Sequence, residues 1–302
     1  MKLKKFMTVL MCAAMVAGLA VGCGKSDTAS DEGTSTEAWD SSMDITIVSR
    51  EDGSGTRGAF IELFGIEVKD EAGEKVDMTT EEAQITNSTS VMKTTVEGDE
   101  YAIGYISLGA LDDSVKAVKI DGAEATAENI KNGSYKVSRP FNIATKEDAE
   151  NPVADDFVNF ILSTEGQEVV SENGYIALDD VSAFESAMPE GKIVVGGSSS
   201  VSPVMEKLIE AYKAINANAE IELQTTDSTT GMTSTIDGSY DIGMASRELK
   251  EEELAEGLVG QVIATDGIAV IVNKNNPTDD MTVDQVNTIY VGNALTWDEV
   301  VE

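Results

Sequence analysis

The sequence predicts an α/β fold built as two domains, and three observations carry that prediction. Short β-rich runs alternate with segments whose apolar residues recur at helical spacing, along nearly the whole chain. Several of those runs end in loops of Ser, Thr and Gly that lead into a helical stripe. With the N-terminal segment set aside, about 260 residues remain, enough for two modest α/β domains. No repeat of roughly 20–50 residues, the mark of a solenoid, interrupts the pattern.

The first 22 residues read as a targeting segment. Lys2, Lys4 and Lys5 precede an apolar run from Phe6 to Val21, and Leu19-Ala20-Val21-Gly22-Cys23 resembles a bacterial lipoprotein cleavage site with Cys23 as the lipidated residue. The run is too short and too rich in Ala and Gly for a single membrane span. Residues 23–43, mostly Ser, Thr, Asp, Glu and Gly, form a flexible tether. Cys12 leaves with the targeting segment, so neither a disulfide framework nor a thiolate site is expected. The chain has no histidine, which removes Ser-His-Asp and Cys-His catalysis and most zinc chemistry. A net charge of −34 argues against nucleic acid and against anionic lipid as partners. It does not exclude an anion held in a buried site. Salt screens surface charge over about 8–10 Å, whereas N–H donors in a dry cleft act at contact distance.

Asp44 to Val48 is a β-rich run ending at Ser49-Arg50. Gly53-Ser54-Gly55-Thr56 follows, and Ala59, Phe60, Leu63 and Phe64 then fall on one helical face. Ser90 to Val96 predicts a helix, Ala102 to Ser107 a buried strand and Val115 to Ile120 another strand. A short helix over Ala125 to Asn132 is closed by Gly133. Tyr135 to Ile143, with Ser138-Arg139-Pro140, reads as an extended connection. Pro152 to Glu172 is amphipathic, with Val153, Phe157, Phe160, Ile161 and Val169 on its apolar side, and Gly166 divides it into two helices. The pattern then restarts. Lys192 to Val195 is a strand, followed by Gly196-Gly197-Ser198-Ser199-Ser200-Val201-Ser202-Pro203 and a helical stripe of Val204, Met205, Leu208, Ile209 and Tyr212. Ala219 to Gln224 is a strand, with Thr225 to Gly231 leading into another helix. Tyr240 to Ser246 is a strand ending at Ser246-Arg247. Ala269 to Asn273 is a further strand and Val283 to Tyr290 a final helix.

Four loops share one chemistry. Each follows a strand, and three lead into a helix, where free N–H groups and the helix dipole favour an anion. Ser and Thr hydroxyls add donors and Gly lets the backbone come close. In the loop at Ser54-Gly55-Thr56, Arg50 stands four residues upstream at a strand end and can grip an oxyanion through charge-assisted bonds. The loops at Ser198 to Ser202, at Asp227-Ser228-Thr229 and at Ser246-Arg247 carry less. Taken singly, capping is the commoner role of such residues; four in one chain weigh more. None matches the nucleotide-binding P-loop, which needs a Gly-Lys-Ser/Thr ending.

Together these segments resemble the phosphate-binding proteins of bacterial phosphate ABC transporters over about Asp44 to Glu302. Ser49-Arg50-Glu51-Asp52-Gly53-Ser54-Gly55-Thr56 is the most specific piece. Ala102-Ile103-Gly104-Tyr105-Ile106-Ser107, Asp241-Ile242-Gly243-Met244-Ala245-Ser246-Arg247 and Asp266-Gly267-Ile268-Ala269-Val270 are similar as well. The resemblance implies a periplasmic-binding-protein-like fold of type II: two α/β domains joined by two hinge crossovers. It implies phosphate contacts from Arg50, Ser54, Gly55, Thr56, Ser199, Ser200, Ser228 and Ser246. One branch of the family has, at the Ser246 position, an aspartate that accepts the proton of hydrogen phosphate; Asp52 and Asp266 are candidate acceptors here. In relatives the Ser198 loop opens the mature chain and the Arg50 loop comes later, so the order here implies a circularly permuted chain. Ala38-Trp39-Asp40-Ser41 is similar to Thr296-Trp297-Asp298-Glu299, a trace of duplication or chance. The permuted division is 44–137 plus 269–302 as one domain and 138–268 as the other.

The implied function is a lipid-anchored solute-binding protein on the extracytoplasmic face of a bacterial membrane, a monomer that delivers inorganic phosphate to ABC permease subunits. No catalytic residue, cofactor or metal is expected. The alternatives are the same module for sulfate or molybdate, a phosphatase, and a surface sensor without a transport role. A fragment of a tandem array and a dimer that swaps halves are the structural alternatives.

Overall fold

The computed structural model describes residues 39–301. The expected targeting segment 1–22, Cys23 and the tether as far as residue 38 lie outside the described residues.

In chain order the elements are β1 (Thr46–Arg50), α1 (Gly55–Leu63), β2 (Glu67–Lys69), β3 (Lys75–Asp77), β4 (Gln84–Thr86), α2 (Thr89–Glu97), β5 (Ala102–Ser107), β6 (Lys116–Ala117), β7 (Lys119–Ile120), α3 (Ala127–Lys131) and β8 (Ser138–Lys146). Then come α4 (Pro152–Ile161), α5 (Thr164–Glu172), β9 (Gly191–Ser198), α6 (Ser202–Ile215), β10 (Ala219–Thr226), α7 (Ser228–Ile236), β11 (Ile242–Ala245), α8 (Glu251–Ala255), β12 (Leu258–Val272), β13 (Asp280–Met281) and α9 (Val283–Tyr290). Strands β10, β9, β11, β8, β12, β5, β1 and β4 form one hydrogen-bonded path in that order. The pairings of β9 with β10 and β11, and of β1 with β4 and β5, are parallel. The strands between them, β8 and β12, run antiparallel to their neighbours.

Strand β12 joins the halves by changing partner. Leu258 to Gly267 pairs with β8, and Ile268 to Val272 pairs with β5. Two main apolar cores sit on either side. The first gathers Phe60, Phe64, Tyr105, Tyr290 and Trp297 with Ile268 to Val272. In it Phe60 stacks on Tyr105 at 3.9 Å between ring centroids. The second gathers Phe141, Phe157, Phe160, Tyr212, Ile193, Val195 and Ile263. Burying such side chains is the main stabilising term, of order 1.5–3 kcal/mol each.

The structure corrects several local expectations. On α1 the buried apolar side chains are Phe60, Ile61 and, just past its end, Phe64, whereas Leu63 is 37% exposed. The break in the Pro152–Glu172 segment falls at Leu162 and Ser163, where the Ser163 hydroxyl caps α5. Gly166 lies inside α5, packed on the carbonyls of Phe160 and Ile161, where a side chain has no room. The expected Ala269 strand is the end of β12, which begins at Leu258, and Val115 to Ile120 is two short strands. The expected connection Tyr135 to Ile143 contains most of β8. The tether also ends earlier than residue 43. Trp39 packs on Tyr101 and Trp297 at 5.7 and 5.8 Å between centroids. Ser41 O accepts the Asp298 N–H at 2.7 Å, and Asp44 bridges to Thr296. Aromatic contact and backbone bonds therefore fix residues 39–43 onto the first core.

Candidate functional site

In parallel sheets the loops at the C-terminal ends of the strands carry the ligand site. Here β1, β4, β9 and β10 each end in a loop that opens a helix, and β11 is followed directly by Ser246. The side chain of Arg50, the last residue of β1, is 2% exposed. Its Nη2 donates to Ser199 Oγ of the β9 loop at 3.1 Å and its Nη1 to Thr89 Oγ1 at 3.4 Å. The Thr89 N–H, in the first turn of α2, also donates to Ser199 Oγ at 3.3 Å. Thr89 Oγ1 and Ser200 Oγ lie 3.2 Å apart, and Thr56 Oγ1 and Ser200 Oγ 2.8 Å apart. Beside them the Ser246 N–H donates to Ser228 Oγ at 3.1 Å, and Ser198 Oγ donates to Ser246 Oγ at 3.0 Å.

Gly55 makes this convergence possible. A Cβ at Gly55 would lie 2.5 Å from Ser228 Oγ and 2.9 Å from Ser246 Oγ, so only a hydrogen fits between α1 and the opposing hydroxyls. Further contacts join the same two sides. The Thr229 N–H and Thr229 Oγ1 each donate to Gly53 O at 3.2 Å. Arg247 stands beside Gly55 and is held by Glu253 through bonds of 2.9 and 2.7 Å. Burial alone would raise the Glu253 carboxyl; the bonds from Arg247 and the Lys250 N–H outweigh it and hold it below its ordinary value.

Of the residues expected in the site, Arg50, Gly55, Thr56, Ser199, Ser200, Ser228 and Ser246 are brought together. Ser54 is buried beside them, and its hydroxyl accepts the Arg57 N–H at 3.3 Å as the cap of α1. The two expected proton acceptors stand elsewhere. Asp52 is 97% exposed on the outer side of the loop, paired with Arg57 at 3.0 Å and not with Arg50. Asp266 is buried against Ser107 and Arg139, bonded to none of the cluster's hydroxyls. The carboxylate that does reach the cluster is Glu51, which takes Arg50 Nε and Nη2 at 2.7 Å each. Such a two-pronged grip fixes the guanidinium plane and turns its remaining donors inward. Sequence reasoning missed Glu51 and Thr89. Thr89 was within reach, because Ser88-Thr89 precedes a helical stripe and the Ser88 hydroxyl caps α2.

The arrangement offers N–H groups at helix starts, one guanidinium and a ring of hydroxyls in a buried space between two cores. It suits a small tetrahedral oxyanion, and the fold and site define a binding protein of the periplasmic type. The description "PBP superfamily domain" matches residues 16–165 and 182–301. "Phosphate-binding protein PstS 2" of Streptococcus agalactiae is 53% identical over 99% of both chains. The protein of the same name from Streptococcus pneumoniae is 40% identical over 99% of this chain and 100% of its own. The crystal structure of a phosphate ABC transporter, phosphate-binding protein from Streptococcus pneumoniae covers 86% of this chain and 100% of its own, with 42% identity and a TM-score of 0.67. This chain belongs to the PstS-type family of phosphate-binding proteins within the PBP superfamily.

Proposed function

We propose that this protein captures inorganic phosphate outside the cytoplasmic membrane and passes it to the permease subunits of an ABC importer. The observation that carries the reading is the convergence on one buried point of Arg50, Thr56, Thr89, Ser199, Ser200, Ser228 and Ser246. Dehydrated donors supply the affinity, and the chain's negative charge is screened from them. The test is calorimetry on the protein lacking residues 1–22, titrated with phosphate, sulfate and molybdate. One phosphate per chain with sulfate far weaker is expected; tighter sulfate or molybdate binding would overturn the choice of ligand. Measured with the same protein, light scattering is expected to give a monomer.

Two lobes, 44–137 plus 269–302 and 138–268, close on the ligand in this reading. The two cores support it, as do the bonds that join them at the site. The permuted order has support of the same kind. The Ile45 N–H donates to Leu295 O at 2.7 Å, so the strand that opens the domain is sewn to the segment that ends it. Near, exposed ends are where permutation is tolerated. The match to the Streptococcus agalactiae relative runs through nearly all of both chains, so the two share one order. Cys23 is the anchor point in this reading, and among the described residues no helix is long and apolar enough to cross a membrane. Fatty-acid labelling that persists in Cys23→Ala would refute the anchor.

Lobe closure yields a separate prediction. Thr229→Val keeps the side chain's shape and removes its one hydroxyl bond across the cleft, to Gly53 O, along with a weak 3.4 Å contact from Arg247 Nη2 on its own side. Phosphate affinity is expected to fall about fivefold, roughly 1 kcal/mol for one lost hydrogen bond, with the melting temperature of the ligand-free protein unchanged.

A further inference from the structure

The two strands shared by both cores carry an ion pair at the place where the cores meet. Arg139 of β8 and Asp266 of β12 are direct partners in the strand register. Val137 lies in the first core and Phe141 in the second; on β12, Ala264 lies in the second and Ile268 in the first. The pair therefore marks both crossings of the chain between cores. Its side chains are only 2% and 1% exposed and meet through a single contact of 3.2 Å. Arg139 Nε and Nη1 are buried with no hydrogen-bond partner among the described residues.

A buried pair with one long contact and two guanidinium nitrogens without acceptors is poorly compensated for the water it has lost. In that situation the desolvation cost exceeds the attraction. The groups that exclude water come from both cores. Ser107 of β5 donates to Asp266 Oδ1 at 2.9 Å. Next to it Tyr175, from the second core, packs on Gly109 so tightly that a Cβ there would fall 2.1 Å from the ring. Parting the lobes breaks this cover and lets water reach the pair.

We propose that the Arg139–Asp266 pair is a spring in the hinge: burying it opposes lobe closure, which weakens phosphate binding and speeds release, although neither side chain touches the ligand. This inference rests on the phosphate-capture reading. Both are positioning residues.

The charge state of Asp266 supports the sign. Burial raises its carboxyl to about 6, against the opposing influence of Arg139, Ser107 and the Gly109 N–H. Tyr135 and Tyr175 also act on it, and Arg50 and Tyr105 act on Arg139. With the lobes apart and water admitted, the carboxyl returns toward an ordinary value near ~4. Closure then takes up a proton. It is favoured fully below about 4, and that advantage is lost as the pH rises through about 6.

The experiment compares phosphate affinity, by calorimetry, in the unaltered protein, Arg139→Met, Asp266→Asn and the double variant, each checked by circular dichroism. Arg139→Met leaves the Asp266 carboxylate buried without its partner and is expected to weaken binding, whereas Asp266→Asn stands in for the protonated carboxyl and is expected to tighten binding at pH 7.5. The double variant removes the pair and is expected to bind about tenfold more tightly at pH 7.5. Its advantage should shrink toward pH 5, a comparison in which the ligand's own titration cancels. A double variant that binds no more tightly than the unaltered protein overturns the spring. Failure of the unaltered protein to bind phosphate at all instead overturns the capture reading. Should the double variant not fold, small-angle scattering of the unaltered, phosphate-free protein decides: contraction as the pH falls through 6 supports the spring, and an unchanged radius overturns it.

Discussion

Arg50→Ala is expected to weaken phosphate binding on the order of 100-fold, about 3 kcal/mol, the usual cost of truncating one partner of a buried charged contact. Arg50 is the one side chain with full positive charge among the converging donors, and it is held ready. Glu51 grips its Nε and Nη2, and Ser199 and Thr89 receive the inward edge. The ligand therefore meets an oriented guanidinium and does not have to order one. Arg50→Lys keeps the charge but loses the fork, so its affinity should fall between those of the unaltered protein and Arg50→Ala. The fold should survive both changes, because Glu51 is 22% exposed and can turn to water when its partner is gone. Calorimetry beside thermal melting separates the outcomes. Unchanged affinity in Arg50→Ala refutes the site, and a collapsed melting temperature would assign Arg50 to the fold instead.

The same residues show what was legible in the sequence. Arg50 and the loops at Ser54, Ser199 and Ser228 could be read because strand, small polar loop and helix follow one another locally, and local order is what periodicity reports. Thr89 carried only part of that pattern: its helix start was readable, but the strand before it was not. The strand before it, β4, has only three residues, and exposed acidic residues precede it, so no apolar alternation announces it. The first half of β12 was hidden in a similar way. Val259 and Val262 are exposed there, and the strand is defined by pairing with β8 rather than by its own pattern. Asp52 and Glu51 illustrate a finer limit. They are neighbours with the same charge, and the turn after β1 sends one to Arg57 and the other to Arg50. Composition cannot choose between them. For Asp266 the decisive fact is register: its opposition to Arg139 comes from strands more than a hundred residues apart in sequence, which no local pattern encodes.

Gly55→Ala is expected to separate folding from function. Gly55 opens α1 in an ordinary backbone conformation, since it is not among the residues with positive φ. Alanine is therefore tolerated locally, and as the better helix former it should leave stability unchanged or slightly raised. Its methyl group, however, points across the cleft. It would sit 2.5 Å from Ser228 Oγ, 2.9 Å from Ser246 Oγ and 3.1 Å from Arg247 Cγ, all on the opposite side. Ser228 cannot simply swing away, because its oxygen accepts the Ser246 N–H at 3.1 Å and would leave that buried donor unpaired. Relief has to come from the lobes standing apart, which withdraws Arg50 and Thr56 from Ser199 and Ser200. Overpacking of this kind costs about 1–3 kcal/mol, so phosphate affinity should fall on the order of 10- to 100-fold. Scattering in saturating phosphate should show a protein less closed than the unaltered one, with the melting temperature of the free form intact. A Gly55→Ala protein that binds phosphate as tightly as the original would mean that α1 and the Ser228 loop do not meet around the ligand, and the two-sided site would have to be abandoned.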